Sequence, residues 1–147
     1  YSLVVLAVYT LDQFSKYLAA EVMSPGSSIP VVEGIFHFTL VENTGAAFGI
    51  LREHPAFFAA IAACFSFLLV LFMVIKRRTL STAEMVSLSL VLGGTLGNLT
   101  DRLRFGYVID FLDFRIWPVF NVADSCITFG AVMLAWSIMV ASGKNKQ

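Results

Sequence analysis

The chain has 147 residues and a formal net charge of zero, with 58% hydrophobic residues, 14% charged residues and a mean hydropathy of +0.81. A soluble domain usually carries about 25% charged residues and about 45–50% apolar ones, so this composition predicts an integral membrane protein. The balanced charge argues against nucleic acids and acidic surfaces as partners.

Four stretches are long and apolar enough to be predicted as membrane-spanning helices, which need about 20 residues each. The clearest of them follows Pro55, contains no charged residue and ends before Lys76. The pattern Ser81-Thr82-Ala83-Glu84 is a capping box, which predicts the start of the third span. We expect an all-α membrane protein with four transmembrane helices in a single domain, residues 1–147, with spans at 2–23, 56–75, 84–100 and 119–141.

Basic residues set the expected orientation of these spans. The basic run 76–78 follows the second span, and Lys144 and Lys146 follow the fourth. By the positive-inside rule, the short loop and the C-terminus face the cytoplasm, and with four spans the N-terminus does so too. The loops 24–55 and 101–118 are then both extracytoplasmic.

The first of these two loops contains signals for turns and for a strand. Pro25-Gly26 and Pro30 mark turns, and residues 36–40 alternate between apolar and polar side chains. Asn43-Thr44-Gly45 predicts a further turn. We expect a small extracytoplasmic β-sheet between helices 1 and 2.

Asp12 and Lys16 are charged residues within the first span. A charge at the centre of a span is unfavourable by about 2.5–3.5 kcal/mol on insertion scales, so such residues are candidates for function. Their i, i+4 spacing places both on one helix face, where they can pair. Two interpretations stay open: an ion pair that holds the first span against its neighbours, or a pair that supports an active site.

The third span ends in a run of small and polar residues. Gly93, Gly94 and Gly97 predict close packing between helices. Asn98 and Arg102 are one turn apart, so an amide and a guanidinium group project from one helix face near the outer surface. The alternative for Arg102 is an arginine that extends to the membrane interface.

Asp110 and Asp124 are the candidate catalytic carboxylates. Asp110 lies in an apolar, β-prone stretch, and Asp124 lies about 8 Å inside the fourth span, on the same helix face as Asn121. A hairpin turning around Trp117-Pro118 can bring Asp110 beside Asp124. Two carboxylates in a low-dielectric site cannot both ionise easily, so one keeps its proton while the other acts as a base on water. This aspartic-protease chemistry needs neither a metal nor a covalent nucleophile, so we expect no metal site and no cofactor.

Other interpretations stay open on the residues alone. Asp124 also fits a helix cap, and Asp110 also fits a position in a surface loop. A small proton-coupled membrane transporter could use Asp12, Lys16 and Asp124 as a proton relay, and this is the alternative function. A non-enzymatic helper of other membrane proteins would need none of the aspartates. A presenilin-like or prepilin-type protease is disfavoured because the glycine-aspartate motif of those enzymes is absent from the spans.

Five blocks of the sequence resemble the lipoprotein signal peptidase (signal peptidase II) family of bacterial membrane aspartyl peptidases. In chain order the blocks are DQFSK at 12–16, NTGAAF at 43–48, GNLTDR at 97–102, VIDF at 108–111 and FNVADS at 120–125. They extend from the first span to the fourth and therefore cover nearly the whole chain. A single block would be weak support, but five in order with a matching topology are highly specific.

The resemblance implies an activity and a location. The family removes the signal peptide from prolipoproteins, cutting just before a cysteine that already carries a diacylglyceryl group. It acts at the outer face of the bacterial cytoplasmic (inner) membrane and is inhibited by globomycin-type cyclic peptides. We therefore expect a multi-pass aspartic endopeptidase, surrounded by membrane lipids and active as a monomer, with both termini in the cytoplasm.

The resemblance also implies roles for individual residues. Asp110 and Asp124 would be the catalytic pair. The residues that would bind the substrate are Asn43, Asn98, Arg102 and Asn121, and Asn121 would also support the catalytic pair. The residues that would support the site are Asp12, Lys16 and Gly45.

Two further aspartates lie close to these residues in sequence. Asp113 follows Asp110 by three residues, and Asp101 precedes Arg102. The family motif favours Asp110, because its aspartate is directly followed by phenylalanine and preceded by two β-branched residues.

Overall fold

The computed structural model describes residues 1–45 and 55–144, which form a helical protein with one small sheet. The helices in these ranges are α1 (Ser2–Val22), α2 (Pro55–Lys76), α3 (Thr82–Phe105) and α4 (Val122–Lys144). The strands are β1 (Ser28–Val32), β2 (Phe36–Asn43) and β3 (Val108–Asp113). The prediction of a mostly helical fold with a small sheet is confirmed. Residues 46–48 of the second sequence block and Lys146 lie outside the described ranges.

Helix α3 lies at the centre of the helical part, because it packs against each of the other three helices. Glycines allow the close approach. A Cβ atom at Gly93 would lie 2.8 Å from the Cβ of Val8 in α1, and one at Gly94 would lie 2.5 Å from the carbonyl oxygen of Ala123 in α4. A side chain at either position would push a neighbouring helix away, so the predicted role of these glycines in close packing is confirmed.

The two ends of α3 are set by local interactions. At its start, the Oγ of Ser81 accepts a bond from the Glu84 N–H at 3.3 Å, and the Glu84 carboxylate accepts one from the Ser81 N–H at 2.7 Å. The predicted capping box is therefore confirmed. At its end, Gly106 adopts a left-handed conformation with φ of 81°, which turns the chain out of the helix and into β3.

The sheet is antiparallel, with the strand order β1-β2-β3. Strands β1 and β2 form the hairpin expected in the loop between α1 and α2. Strand β3 comes from the connection between α3 and α4 and pairs with β2, so that Val41 lies opposite Asp110. The sheet is thus not confined to the first loop as predicted, because the β-branched and aromatic residues of β3 pair with the free edge of β2.

The chain after β3 folds back on itself, as predicted from the spacing. Leu112 and Phe120 exchange backbone hydrogen bonds of 2.8 and 3.0 Å across the turn that contains Trp117-Pro118. This return brings the start of α4 beside the middle of β3.

Within the described residues, two helices are long and apolar enough to cross a membrane, at Ala56–Lys76 and Val122–Ala141. The other two helices carry the polar interior of the protein. The buried residues of α1 are Val8, Asp12 and Lys16, spaced four apart along one face. The charged side chains of Asp12 and Lys16 make α1 less hydrophobic than a span that contains only apolar residues.

Candidate active site

Asp110 is held by two amide side chains in the middle of β3. Its carboxylate is buried, with 2% of the residue exposed. One carboxylate oxygen accepts a hydrogen bond from the Nδ2 of Asn121 at 2.7 Å, and the other accepts one from the Nδ2 of Asn43 at 2.8 Å. Asn43 belongs to β2 and Asn121 precedes α4, so the sheet and the hairpin together create this environment.

Asp124 lies in the first turn of α4 and caps it together with Asn121. The Oδ1 of Asn121 accepts a hydrogen bond from the Asp124 N–H at 2.9 Å. In return, the Asp124 carboxylate accepts one from the Asn121 N–H at 3.4 Å. The other carboxylate oxygen of Asp124 accepts a bond from the Nδ2 of Asn98 at 2.8 Å. The capping interpretation of Asp124 is therefore correct, but it does not exhaust the interactions of this carboxylate.

Asn98 and Asn121 join the two carboxylates into one network. The Nδ2 of Asn121 donates to the Oδ1 of Asn98 at 3.1 Å as well as to Asp110. Asp110 and Asp124 are thus linked through two mutually bonded amides and act on each other electrostatically. The sequence prediction that the hairpin brings Asp110 beside Asp124 agrees with this geometry.

The pKa of Asp110 is raised from 3.8 to about 7, chiefly because burial disfavours its charged form. The negative charge of Asp124 acts in the same direction, whereas the hydrogen bonds from Asn43 and Asn121 act in the opposite direction. At neutral pH the site therefore retains a proton that an exposed aspartate would have lost.

Infrared spectroscopy tests this protonation directly. We expect a protonated-carboxyl band that disappears as the pH rises through about 7 and that is missing in Asp110→Asn, since the proton resides on that buried carboxyl.

The matched control is Asp113→Asn, three residues along the same strand. Although burial acts to raise the pKa of Asp113, bonds from Thr39 and Arg115 lower it below its ordinary value, so this variant retains the band. A band that vanished in Asp113→Asn and persisted in Asp110→Asn would contradict the assignment.

A buried charge cluster around Lys16 supports the network from α1. The ammonium group of Lys16 lies 2.9 Å from the Asp12 carboxylate, 2.7 Å from the Asp101 carboxylate and 2.8 Å from the Oδ1 of Asn98. Its three donors are therefore all used, and only 2% of the residue is exposed. The predicted pairing of Asp12 with Lys16 is confirmed, and the cluster extends from α1 into α3.

Lys16 also determines which way the Asn98 amide points. The Oδ1 of Asn98 accepts bonds from both Lys16 and Asn121, so its Nδ2 must face Asp124. A cation on one helix thereby orients a donor toward a carboxylate on another. The structural and supporting interpretations of the Asp12–Lys16 pair are both compatible with these contacts.

Asp12 reaches α4 as well as α3. One of its oxygens accepts a bond from the backbone N–H of Ala123 at 2.9 Å, directly before Asp124. A Cβ atom at Gly97 would clash with the Asp12 carboxylate, so glycine at this position leaves room for the cluster. The three helices α1, α3 and α4 are therefore joined at one point.

Removing the central cation tests the structural weight of the cluster. In Lys16→Met, two buried carboxylates and the Asn98 oxygen lose their donor, and we expect a loss of about 3–5 kcal/mol in the free energy of unfolding. The measurement is denaturant unfolding of purified protein in detergent.

The control for this experiment is Arg115→Met. Arg115 pairs with Asp113 at 2.9 Å but has 48% of its side chain exposed, so the expected loss is only about 0–1 kcal/mol. Equal losses in the two variants would show that the Lys16 cluster is no more important than a surface pair.

Two residues of the cluster were not selected from the sequence. The side-chain amide of Gln13 donates to Asp101 at 2.9 Å and contacts Asp12 at 3.3 Å, so it links the two carboxylates that flank Lys16. Asp101 also accepts a bond from the Ile109 N–H at 3.2 Å and so anchors the start of β3. The sequence feature that could have indicated Asp101 is its i, i+4 spacing from Gly97. This spacing puts both residues on the face of α3 that meets α1.

The remaining predicted residues lie around the carboxylates. The Oδ1 of Asn43 accepts a bond from the Gly45 N–H at 3.1 Å, which fixes the Asn43 amide. The guanidinium group of Arg102 lies 5.9 Å from the centre of the Phe58 ring and within electrostatic range of the Asp124 charge. Arg102 thus faces the carboxylates rather than the membrane interface alone.

The site consists of carboxylates, amides and two cations. Among residues 1–45 and 55–144, no group of three or more His, Cys, Asp or Glu side chains has the arrangement of a metal site. The chemistry that this geometry supports is acid–base catalysis by two carboxylates, in which protons move between the carboxylates, a water molecule and the bond that is cleaved.

Residues 4–140 match the sequence profile of a peptidase family, described as signal peptidase (SPase) II and designated Peptidase_A8. The lipoprotein signal peptidase of Moorella thermoacetica is 44% identical over 146 residues, which cover 97% of this chain and 95% of the relative. The enzyme of the same name from Halothermothrix orenii is 49% identical over 133 residues, covering 90% of both proteins.

Two solved structures of bacterial membrane enzymes share the fold. The first has a TM-score of 0.89 and 35% identity, and the match covers 99% of this chain and 90% of that structure. The second has a TM-score of 0.83 and 36% identity, with coverage of 92% and 90%.

Proposed function

The chain belongs to the signal peptidase II family of aspartic peptidases, and on this premise we propose that it removes the signal peptide from diacylglyceryl-modified prolipoproteins, cutting before the lipidated cysteine. The observation that carries the proposal is the network in which Asn98 and Asn121 connect two carboxylates, one of them protonated near neutral pH. The family match supports this peptidase activity rather than the proton-coupled transporter.

The two carboxylates have different roles in the proposed reaction. Asp110 holds the shared proton, because it is buried and its pKa is raised to about 7. Asp124 is the second carboxylate of the network and accepts a hydrogen bond from Asn98, so we assign it the removal of a proton from water. Asp124 is therefore the base, and Asp110 is the acid.

The reaction proceeds in two steps. Asp124 removes a proton from water as the water oxygen attacks the carbonyl carbon before the cysteine, and Asp110 gives its proton to the carbonyl oxygen. The bond between this carbon and the cysteine nitrogen then breaks. Asp124 passes its proton to the leaving amine, and Asp110 regains the one it donated.

The surrounding residues position the reactants. We assign Arg102 and Asn43 to the substrate backbone, since both lie beside the carboxylates and neither is fully buried. The Asn98 and Asn121 amides act mainly on the carboxylates, because their polar atoms already bind one another and the two aspartates. Gly45 supports Asn43, as Asp12 and Lys16 support Asn98.

Cleavage of a synthetic prolipoprotein with a diacylglyceryl cysteine tests the function. Asp110→Asn and Asp124→Asn keep the size of each side chain but remove the acid or the base, so we expect each to lose at least about a hundredfold in rate, in line with general acid–base catalysis. The readout is the shift of the product band on a gel, and a globomycin-type cyclic peptide is expected to block it in the wild type.

The control is again Asp113→Asn, whose carboxylate binds Thr39 and Arg115 instead of the amide network. This variant is expected to cleave at the wild-type rate. The proposal fails if either Asp110→Asn or Asp124→Asn cleaves as fast as Asp113→Asn.

We further propose that α1, α2, α3 and α4 all cross the bacterial cytoplasmic membrane, as one peptidase domain with both termini in the cytoplasm. The basic turn 76–78 and the carboxylates lie near opposite ends of α3, which is about 36 Å long. With the basic turn inside, the carboxylates and the sheet lie near the extracytoplasmic face. Within the described residues, one chain supplies both carboxylates and the amides that connect them, and we propose a monomer as the active unit.

Labelling of single cysteines tests this topology. In a background with Cys64 and Cys126 replaced by alanine, Ile116→Cys is expected to react with a membrane-impermeant maleimide in intact cells, because Ile116 is exposed on the hairpin beside the site. Arg78→Cys is expected to react only after the membrane is opened. The reverse pattern would invert the proposed orientation.

A further inference from the structure

An apolar groove of about 640 Å³ runs along α4 and reaches the candidate active site. Asp124 lines both, since its carboxylate binds Asn98 on one side while the residue borders the groove on the other. The proposed mechanism uses the carboxylate and leaves the groove without a role.

One wall of the groove is formed by aromatic residues of the hairpin between β3 and α4. Phe114 and Phe120 stack with ring centres 5.9 Å apart and planes 10° from parallel. Phe114 also packs against Phe36 of the sheet at 4.9 Å. The backbone bonds between Leu112 and Phe120 fix the two ends of the hairpin that carries these rings.

The other wall is one face of α4. Thr128, Phe129 and Val132 follow Asp124 along the helix, and Val132 lies about 12 Å from it by helix rise. Asp124 is the one ionisable residue among those that line the groove. The groove is therefore charged only where it meets the carboxylates.

We propose that this groove binds an acyl chain of the substrate's diacylglyceryl group. The inference rests on the proposed function, in which the bond that breaks immediately precedes the lipid-bearing cysteine. The acyl chains then begin close to Asp124, and an apolar channel leading away from that residue along α4 gives one of them a surface on which to lie. Burial of methylene groups there favours lipidated over unlipidated substrate.

The size of the groove favours an acyl chain over the helix of the signal peptide. A helix of about 10 Å diameter fills roughly 900 Å³ over the 12 Å between Asp124 and Val132. That exceeds the volume of the groove, whereas a hydrocarbon chain is much thinner than a helix. The groove is therefore better matched to an acyl chain than to a helix.

A second groove provides the internal comparison. It lies between α1, α2 and α3, has a volume of about 720 Å³ and is lined by Leu6, Leu92 and other apolar residues. Neither Asp110 nor Asp124 lines it. A lipid bound there would not be in continuity with the carboxylates.

The experiment fills each groove and varies the length of the acyl chains. Val132→Trp obstructs the proposed groove and Leu6→Trp the comparison groove, and both positions are similarly exposed, at 62% and 59%. KM and kcat are measured for one prolipoprotein peptide carrying either palmitoyl or hexanoyl chains. We expect Val132→Trp to raise KM for the palmitoyl substrate about tenfold, because about two methylene groups lose their contacts with the groove. KM for the hexanoyl substrate should change little.

The controls separate this inference from the proposed function. Leu6→Trp is expected to match the wild type on both substrates, and Thr128→Phe, a second obstruction of the same groove, to behave like Val132→Trp. Cleavage of the hexanoyl substrate reports that each variant is folded. If the wild type cleaves neither substrate, the proposed function fails. If it cleaves both, and the variants of α4 leave the ratio of the two KM values unchanged, the acyl-chain site is overturned while the function stands.

Discussion

The interaction on which the rest of the structure depends is the buried ammonium group of Lys16. A charge of this kind is stable inside a protein only when its donors are fully used, and here they bind Asp12, Asp101 and Asn98. These partners lie on two helices, and Asp12 continues the chain of contacts to the start of α4. The ion cluster therefore joins α1, α3 and α4 at the candidate site.

The candidate site is more than a pair of neighbouring carboxylates, because a network of hydrogen-bonded amides connects the two. Asn98 and Asn121 each have a carboxylate as one partner and the other amide as a second. Burial in β3 raises the pKa of Asp110 to about 7, while Asp124 lies in the first turn of α4 and accepts a hydrogen bond from Asn98. In the proposed mechanism, two residues of the same type take opposite roles in different backbone environments. Lys16 acts on this arrangement through the orientation of the Asn98 amide and through its positive charge, which acts to lower the pKa of Asp110.

Part of the apolar surface of the protein adjoins the candidate site. The groove along α4 starts at Asp124 and has a rigid aromatic wall supplied by the hairpin that also brings Asn121 to Asp110. One short connection therefore contributes both to the polar site and to the proposed lipid site. In this way a chain of 147 residues holds a polar site that uses water beside the proposed surface for an acyl chain.

Features that depend on contacts between neighbouring residues could be predicted from the sequence. Composition predicted the helices, the Ser81 pattern predicted the start of α3, and the spacing of Asp12 and Lys16 predicted their pairing, since each depends on contacts within one or two turns. The motifs singled out Asp110 over Asp113, and the strand geometry agrees, because residues three apart on a strand face opposite sides. Only the tertiary structure decided that β3 joins the sheet of the first loop and that Gln13 and Asp101 complete the Lys16 cluster. Gln13 and Asp101 are 88 positions apart in the chain, and no local pattern records a contact that forms only when two helices pack together.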